Sequence, residues 1–192
     1  MFLNVPFDER YGPLLIALLA GLTALGRDPH CVLEVPSGGR NRLDRIYDLI
    51  ASCRASIHDL SRISVSGPMR VPRFNMPFEL GLAFAIAKRQ NHNFFVLEAK
   101  THRLQATLSD LNGHDPYIHG ETQDGVLRCI LGCFGTPSQP TLPTLRSLTR
   151  KLGRAVFKLE REHGVRHPFH PYFFRQVVNA AVQLARAEGV IG

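Results

Sequence analysis

The stretch Pro72 to Ala87, PRFNMPFELGLAFAIA, sets a single acid, Glu79, among apolar neighbours. Pro77 suits the first turn of a helix, where its missing N–H has no intrahelical partner, and Leu80, Ala83, Phe84 and Ala87 then recur at helical spacing. Glu79 is therefore expected near the helix start. A carboxylate held there among apolar groups can stabilise a developing cation or attack it as a nucleophile. The same placement also suits an acid that only complements the helix dipole. The strand upstream ends in Ile57, His58 and Asp59. Because side chains alternate along a strand, only one of His58 and Asp59 is expected on the face that Glu79 overlooks. Either could serve there as a general acid. Further polar residues fall at strand ends: Asn4 and Asp8 with Phe7 after the first strand, Arg40 and Arg42 after the second, Ser61 and Arg62 after the third, and Asn75 just before Glu79. Arginines and small-residue loops can hold phosphate, and carboxylates can hold ribose hydroxyls or a cationic sugar. Glu79 and Asp59 form the expected catalytic pair, and Asn4, Phe7, Asp8, Arg40, Arg42, Ser61, Arg62 and Asn75 the expected substrate-binding set.

The elements that must position these groups alternate. Met1–Val5 reads as a first strand, and Tyr11–Leu25 has the apolar period of a helix. Cys31–Leu33 predicts a second strand, followed by the loop Pro36–Gly39 and a helix marked by Leu43, Ile46, Tyr47, Leu49 and Ile50. Ala55–Leu60 is the third strand, and an insertion, Ile63–Asn75, precedes the Glu79 helix; loops of that length often bind or cover a ligand. Asn93–Leu97, Arg103–Leu108, Pro116–His119 and Gly125–Phe134 continue as strand, helix, strand, helix. The alternation predicts an α/β three-layer sandwich with a five-stranded parallel sheet and ligands at the carboxyl ends of its strands. Residues 1–135 form this domain, 136–143 a proline-rich linker, and 144–192 a basic helical hairpin with apolar stripes at 145–159 and 173–184.

Composition narrows the class. The chain has 192 residues, enough for one full core and a small appended unit. Its longest apolar run, Leu14–Leu25, is too short to span a bilayer, and no basic leader with a cleavage site is visible, so a cytoplasmic protein is expected. Four cysteines, at 31, 53, 129 and 133, lie in apolar stretches and are expected to be reduced and unmetallated. Residues 1–142 hold 14 basic and 13 acidic residues, which leaves 23 − 14 = 9 basic and 16 − 13 = 3 acidic residues in 143–192. The last stretch thus carries +6 of the net +7. Such an appendage can meet nucleic acid, an acidic partner or solvent. Its two apolar stripes also lead us to expect a homo-oligomer.

Absent motifs exclude some chemistry. The segment after the first strand, NVPFDERYG, is neither a glycine-rich dinucleotide fingerprint nor a P-loop. No strand–turn–helix serine elbow is found either.

The motifs FLNVPFDERY, RLDRIYDLIASCRASIHDLSR and PRFNMPFELGLAFA, in this order, resemble a bacterial family of small TIR-like proteins of the flavodoxin-like, nucleoside 2-deoxyribosyltransferase-like type. The resemblance covers about residues 1–134. It implies a glutamate, at the position of Glu79, that works at the anomeric carbon of a ribosyl group, and an acid, at the position of Asp59, beside the sugar or base. The sequence departs from these families in having SRISVSGPMR where deoxyribosyltransferases commonly carry a glycine-rich turn, and in lacking the cysteine and tryptophan frequent before the TIR glutamate. The expected activity is cleavage of a ribosyl N-glycosidic bond in a nucleotide or nucleoside, with NAD or NADP as candidate substrate and no separate cofactor or metal. A noncatalytic nucleotide sensor and a TIR-like oligomerisation module remain alternatives.

Overall fold

The computed structural model describes residues 1–34, 41–63, 73–111, 113–136, 140–164 and 169–192, and of Tyr172 the backbone alone. Arg40 and the Pro36–Gly39 loop, most of the Ile63–Asn75 insertion, part of the 136–143 linker and residues 165–168 lie outside that set. The chain divides into two compact units, residues 1–6 with 30–120, and residues 7–29 with 121–192.

The first unit is built on strands β1 (Phe2–Asn4), β2 (Ala55–Asp59), β3 (Asn93–Glu98) and β4 (Tyr117–Ile118), all parallel and in the order β1-β2-β3-β4. Four strands stand where five were expected. The missing one, Cys31–Leu33, is reduced to a single parallel bridge between Phe2 and His30 and a 3-10 turn over Val32–Glu34. The reason is local. The Glu34 carboxylate accepts the Cys31 N–H at 2.8 Å and the Glu34 N–H returns to the Cys31 carbonyl at 3.1 Å, so the chain curls back on itself instead of feeding a ladder. The bridge still puts His30 on the side of β1 away from β2, which fits a flavodoxin-like layout. The chain passes first to His30 on one side of β1 and then to β2 on the other, so the order of connection reverses at β1, and the carboxyl ends of the strands at such a point are where ligands gather in such sheets.

Seven helices are found among the described residues: α1 (Gly12–Ala24), α2 (Arg42–Ser52), α3 (Asn75–Ala87), α4 (Arg103–Thr107), α5 (Gln123–Phe134), α6 (Leu142–His163) and α7 (Pro171–Ala187). The register places Phe2, Asn4, Ser56, His58, Phe94 and Val96 on one face of the sheet. That face carries α2 and α3. Phe2, Val32, Ile46, Ile50, Ala83 and Ile86 form one buried cluster, and Leu60, Ile63, Met76, Leu80, Val96 and Leu104 another. The Asn41 side chain caps α2 by accepting the Leu43 N–H at 2.9 Å.

The second unit consists of α1, α5, α6 and α7. Helix α1 is apolar on every side because it packs against all three of the others. The stripes of the hairpin, Leu145, Leu148, Leu152 and Val156 on α6 and Phe173, Val177, Val178 and Ala181 on α7, are buried within the chain. Ion pairs tie the polar flanks: Arg146 with Asp124 through two hydrogen bonds, Lys151 with Glu188, and Arg175 with Asp28 at 2.7 Å. The four cysteines are free thiols, Cys31 and Cys129 buried and the other two half-buried. No described helix is long and apolar enough to cross a membrane.

Candidate functional site

Helix α3 inverts the usual division of residues. Its buried stripe is Met76, Glu79, Leu80, Ala83 and Ile86, the i, i+3, i+4, i+7 pattern of a core face, so an acid occupies a core position. Phe74 and Phe78, on the opposite side, are 71% and 53% exposed. Buried acids and exposed aromatics are the informative departures from ordinary partition. Burial pushes the Glu79 carboxyl up from 4.5 to about 7, against the opposing pull of the Arg42 guanidinium at the start of α2. The carboxyl is thereby poised near neutrality, so a nearby cation would shift it fully to the charged form.

Behind α3 a chain of hydrogen bonds crosses the sheet. Asn4 Nδ2 donates to the Met76 carbonyl at 2.9 Å and to His58 Nδ1 at 3.1 Å. His58 Nε2 lies 2.9 Å from Ser56 Oγ, Ser56 Oγ lies 2.8 Å from His92 Nε2, and His92 Nδ1 lies 2.8 Å from the Cys53 carbonyl. Both ends are carbonyls, which can only accept, and this settles the proton positions between them. Asn4 must present its NH2, so His58 Nδ1 is the bare nitrogen and Nε2 carries the proton towards Ser56. His92 must carry its proton on Nδ1, so the Ser56 hydroxyl donates to Nε2. Every donor then has one acceptor; a further proton on His92 would leave two donors facing the one serine oxygen, and one on His58 would set its Nδ1–H against the Asn4 NH2. Burial, with the neighbouring His92 as a smaller influence, lowers His58 from 6.5 to about 3. At pH 7, 15N NMR of the imidazoles is expected to show His58 as the Nε2–H tautomer and His92 as the Nδ1–H tautomer. Matching tautomers would contradict this arrangement.

A second polar cluster lies at the carboxyl ends of β2, β3 and β4. Alternation puts Asp59 on the face away from His58, and Asp59 Oδ2 stands 3.3 Å from His119 Nε2, both side chains fully buried. Asp59 Oδ1 accepts the Ser61 N–H at 2.9 Å, and Arg103 Nη1 donates to the Ser61 carbonyl at 2.7 Å. Glu98, fully buried at the end of β3, accepts the Ala99 N–H at 3.0 Å and lies 3.9 Å from Arg103. Burial raises its pKa, with Arg103 opposing and the Asp59 charge reinforcing. Among the described residues no group of three or more His, Cys, Asp or Glu is arranged to hold a metal ion.

The sequence-predicted residues thus separate. Asn4, His58 and Glu79 share the α3 side of the sheet, and Arg42 is close enough for its charge to act on Glu79. Asp59 and Ser61 belong to the second cluster, with half-buried Arg62 following, and Asn75 is an exposed residue opening α3. Phe7 and Asp8 fall in the helical unit, where Phe7 packs edge-on against Phe169 at 5.5 Å and Asp8 caps the turn Glu9–Tyr11. Ser56, His92, Glu98, Arg103 and His119 were missed by sequence reasoning. An acid closing a strand of NFFVLE type was the one available signal, for Glu98. Comparison of the chain with protein-family models, curated proteins and solved structures finds no match.

Proposed function

We propose that the chain cleaves the ribosyl N-glycosidic bond of a nicotinamide nucleotide, NAD or NADP, with Glu79 as the carboxylate that acts at the anomeric carbon. The observation that carries this reading is the core-facing burial of Glu79 beside the carboxyl end of β1, near the reversal point of the sheet. The resemblance of residues 1–134 to TIR-like and deoxyribosyltransferase-like proteins agrees with it. As the base departs with the bonding electron pair, positive charge builds on the ribose ring, and a desolvated carboxylate stabilises it or captures it. Water then adds to the anomeric carbon and releases its proton.

The surroundings of Glu79 favour a leaving group that needs no acid. A departing purine or pyrimidine ordinarily takes a proton. His58 is held neutral with both nitrogens engaged, and Asp59 lies on the other face of the sheet. Nicotinamide is already cationic in the bond and leaves neutral without one. The reading therefore assigns no proton transfer to either group. Arg42, whose charge reaches Glu79, supplies a cation for a phosphate.

Incubation of the full chain with NAD, NADP and a panel of nucleosides, followed by chromatography of free bases, tests this. Nicotinamide release with little release of purine or pyrimidine is expected. Release of bases from nucleosides alone would overturn the substrate assignment, and no release from any of them would overturn the activity.

A further inference from the structure

The +6 charge of residues 143–192 could be scattered over solvated faces, but on α6 it is ordered. Arg150, Arg154, Lys158 and Arg161 stand at i, i+4, i+8 and i+11, hence on one side of the helix, opposite the buried stripe Leu145, Leu148, Leu152 and Val156. All four are exposed. Successive members are separated by about 6 Å along the axis where four residues apart and about 4.5 Å for Lys158 to Arg161, three residues apart. Lys158 meets Glu162 at 3.7 Å, an exposed i,i+4 pair of little strength, while Arg150 and Arg154 have no acidic partner among the described residues. Within this ridge Phe157 is 62% exposed, the Arg161 guanidinium lies 6.0 Å from its ring centre, and the two line a shallow depression with Lys158 and Glu162. By contrast Arg146, Lys151 and Arg175 are paired with acids. On α6, then, Arg146 and Lys151 are paired with acids and brace the helices, while Arg150, Arg154, Lys158 and Arg161 form an outward row that ion-pairs with one acid, Glu162, among the described residues.

We propose that this α6 ridge binds the backbone of a single-stranded nucleic acid, with Phe157 as a stacking platform for a base. A row of evenly spaced cations tracks a chain of phosphates, and one aromatic among them adds a sequence-tolerant stacking contact, the pairing that single-strand binders use. A lipid surface fits less well, because an interfacial helix needs an exposed apolar face and that of α6 is already buried within the unit. An acidic protein partner ordinarily needs an apolar centre to its interface, and Phe157 alone does not make one.

The test is fluorescence anisotropy of a labelled 20-nucleotide mixed-sequence DNA strand against the full chain between 25 and 200 mM salt. Four phosphate contacts give a slope of log K against log salt of roughly −3. Arg150→Gln with Arg154→Gln removes two contacts, so at about 0.1 M salt affinity falls by roughly 25-fold and the slope by about half. Phe157→Ala lowers affinity by about tenfold with the slope unchanged. These side chains are exposed, and circular dichroism checks that the variants are folded. No binding at 25 mM salt, or binding that the variants leave untouched, overturns the proposal. So does tighter binding to anionic phosphatidylserine vesicles or to a poly-glutamate peptide than to the strand.

Discussion

Replacing Glu79 by glutamine is expected to lower turnover of the ribosyl bond by about two orders of magnitude or more, with the fold intact. Glutamine keeps the size of the side chain and removes the charge that faces the developing cation. In a dry site that charge acts with little screening, and the loss falls on kcat because the cation exists only in the transition state. KM should move little, since Arg42, which we assign to substrate binding, is untouched. Single-turnover measurement of nicotinamide release separates the chemical step from product release. Full activity in the variant would remove Glu79 from the reaction, whatever the substrate.

The same substitution should change how stability depends on pH, which gives a readout independent of activity. For Glu79 the folded pKa, about 7, lies above the ordinary value of 4.5. Between those values the folded chain holds a proton that the unfolded chain has released. Stability therefore falls as pH rises through 4.5 to 7, by up to about 1.4 kcal/mol per pH unit. His58 has the opposite sign. Its folded pKa, about 3, lies below 6.5, so the unfolded chain binds the extra proton and stability is lost as pH falls from 6.5 towards 3. From pH 4.5 to 6.5 the two slopes oppose, and the raised Glu98 adds to the side of Glu79. Urea denaturation from pH 4 to 8 is expected to show a difference between wild type and Glu79→Gln that is flat near pH 4. It should then shift in favour of the variant up to about pH 7, by roughly 3 kcal/mol, a large part of a domain's margin. The cost of His58→Gln should instead shrink as pH falls below 6.5. A difference that stays constant with pH in either series would contradict the assigned burial of that group.

These results bear on a site whose parts differed in how visible they were. Asn4, His58 and Glu79 could be named from the chain because each lies at or near the end of an element, where polarity interrupts an apolar pattern. The links that hold them could not. Asn4 is 72 residues from Met76 and Ser56 is 36 from His92. Such bonds follow from strand register, which no local spacing encodes. Asp59 illustrates the same limit: alternation required that it and His58 face opposite ways, but only the packing of α3 decided which of them shares a side with Glu79.

The amphipathic helices were readable because polar residues mark their outer sides. The buried positions Leu145, Leu148, Leu152 and Val156 on α6 are those that the spacing predicts, since arginines and lysines leave only one face for the core. Helices α1 and α3 are apolar nearly all round, so their sequences carry element type but no phase. For α3 the tertiary structure turned Glu79 inward and Phe78 outward. For α1 it supplied three helical neighbours at once. The strand expected at Cys31–Leu33 had sufficient apolar character to pair, and the Glu34 side chain, three residues along, withdrew its backbone donor into a turn. The chain by itself determined where elements lie, which residues are polar at their ends and that the charge gathers in the last fifty residues. Which face of a uniformly apolar helix is buried, which strand completes the sheet and which partners satisfy a buried imidazole were decided by contacts between distant segments, whose energies appear only once the chain has closed on itself.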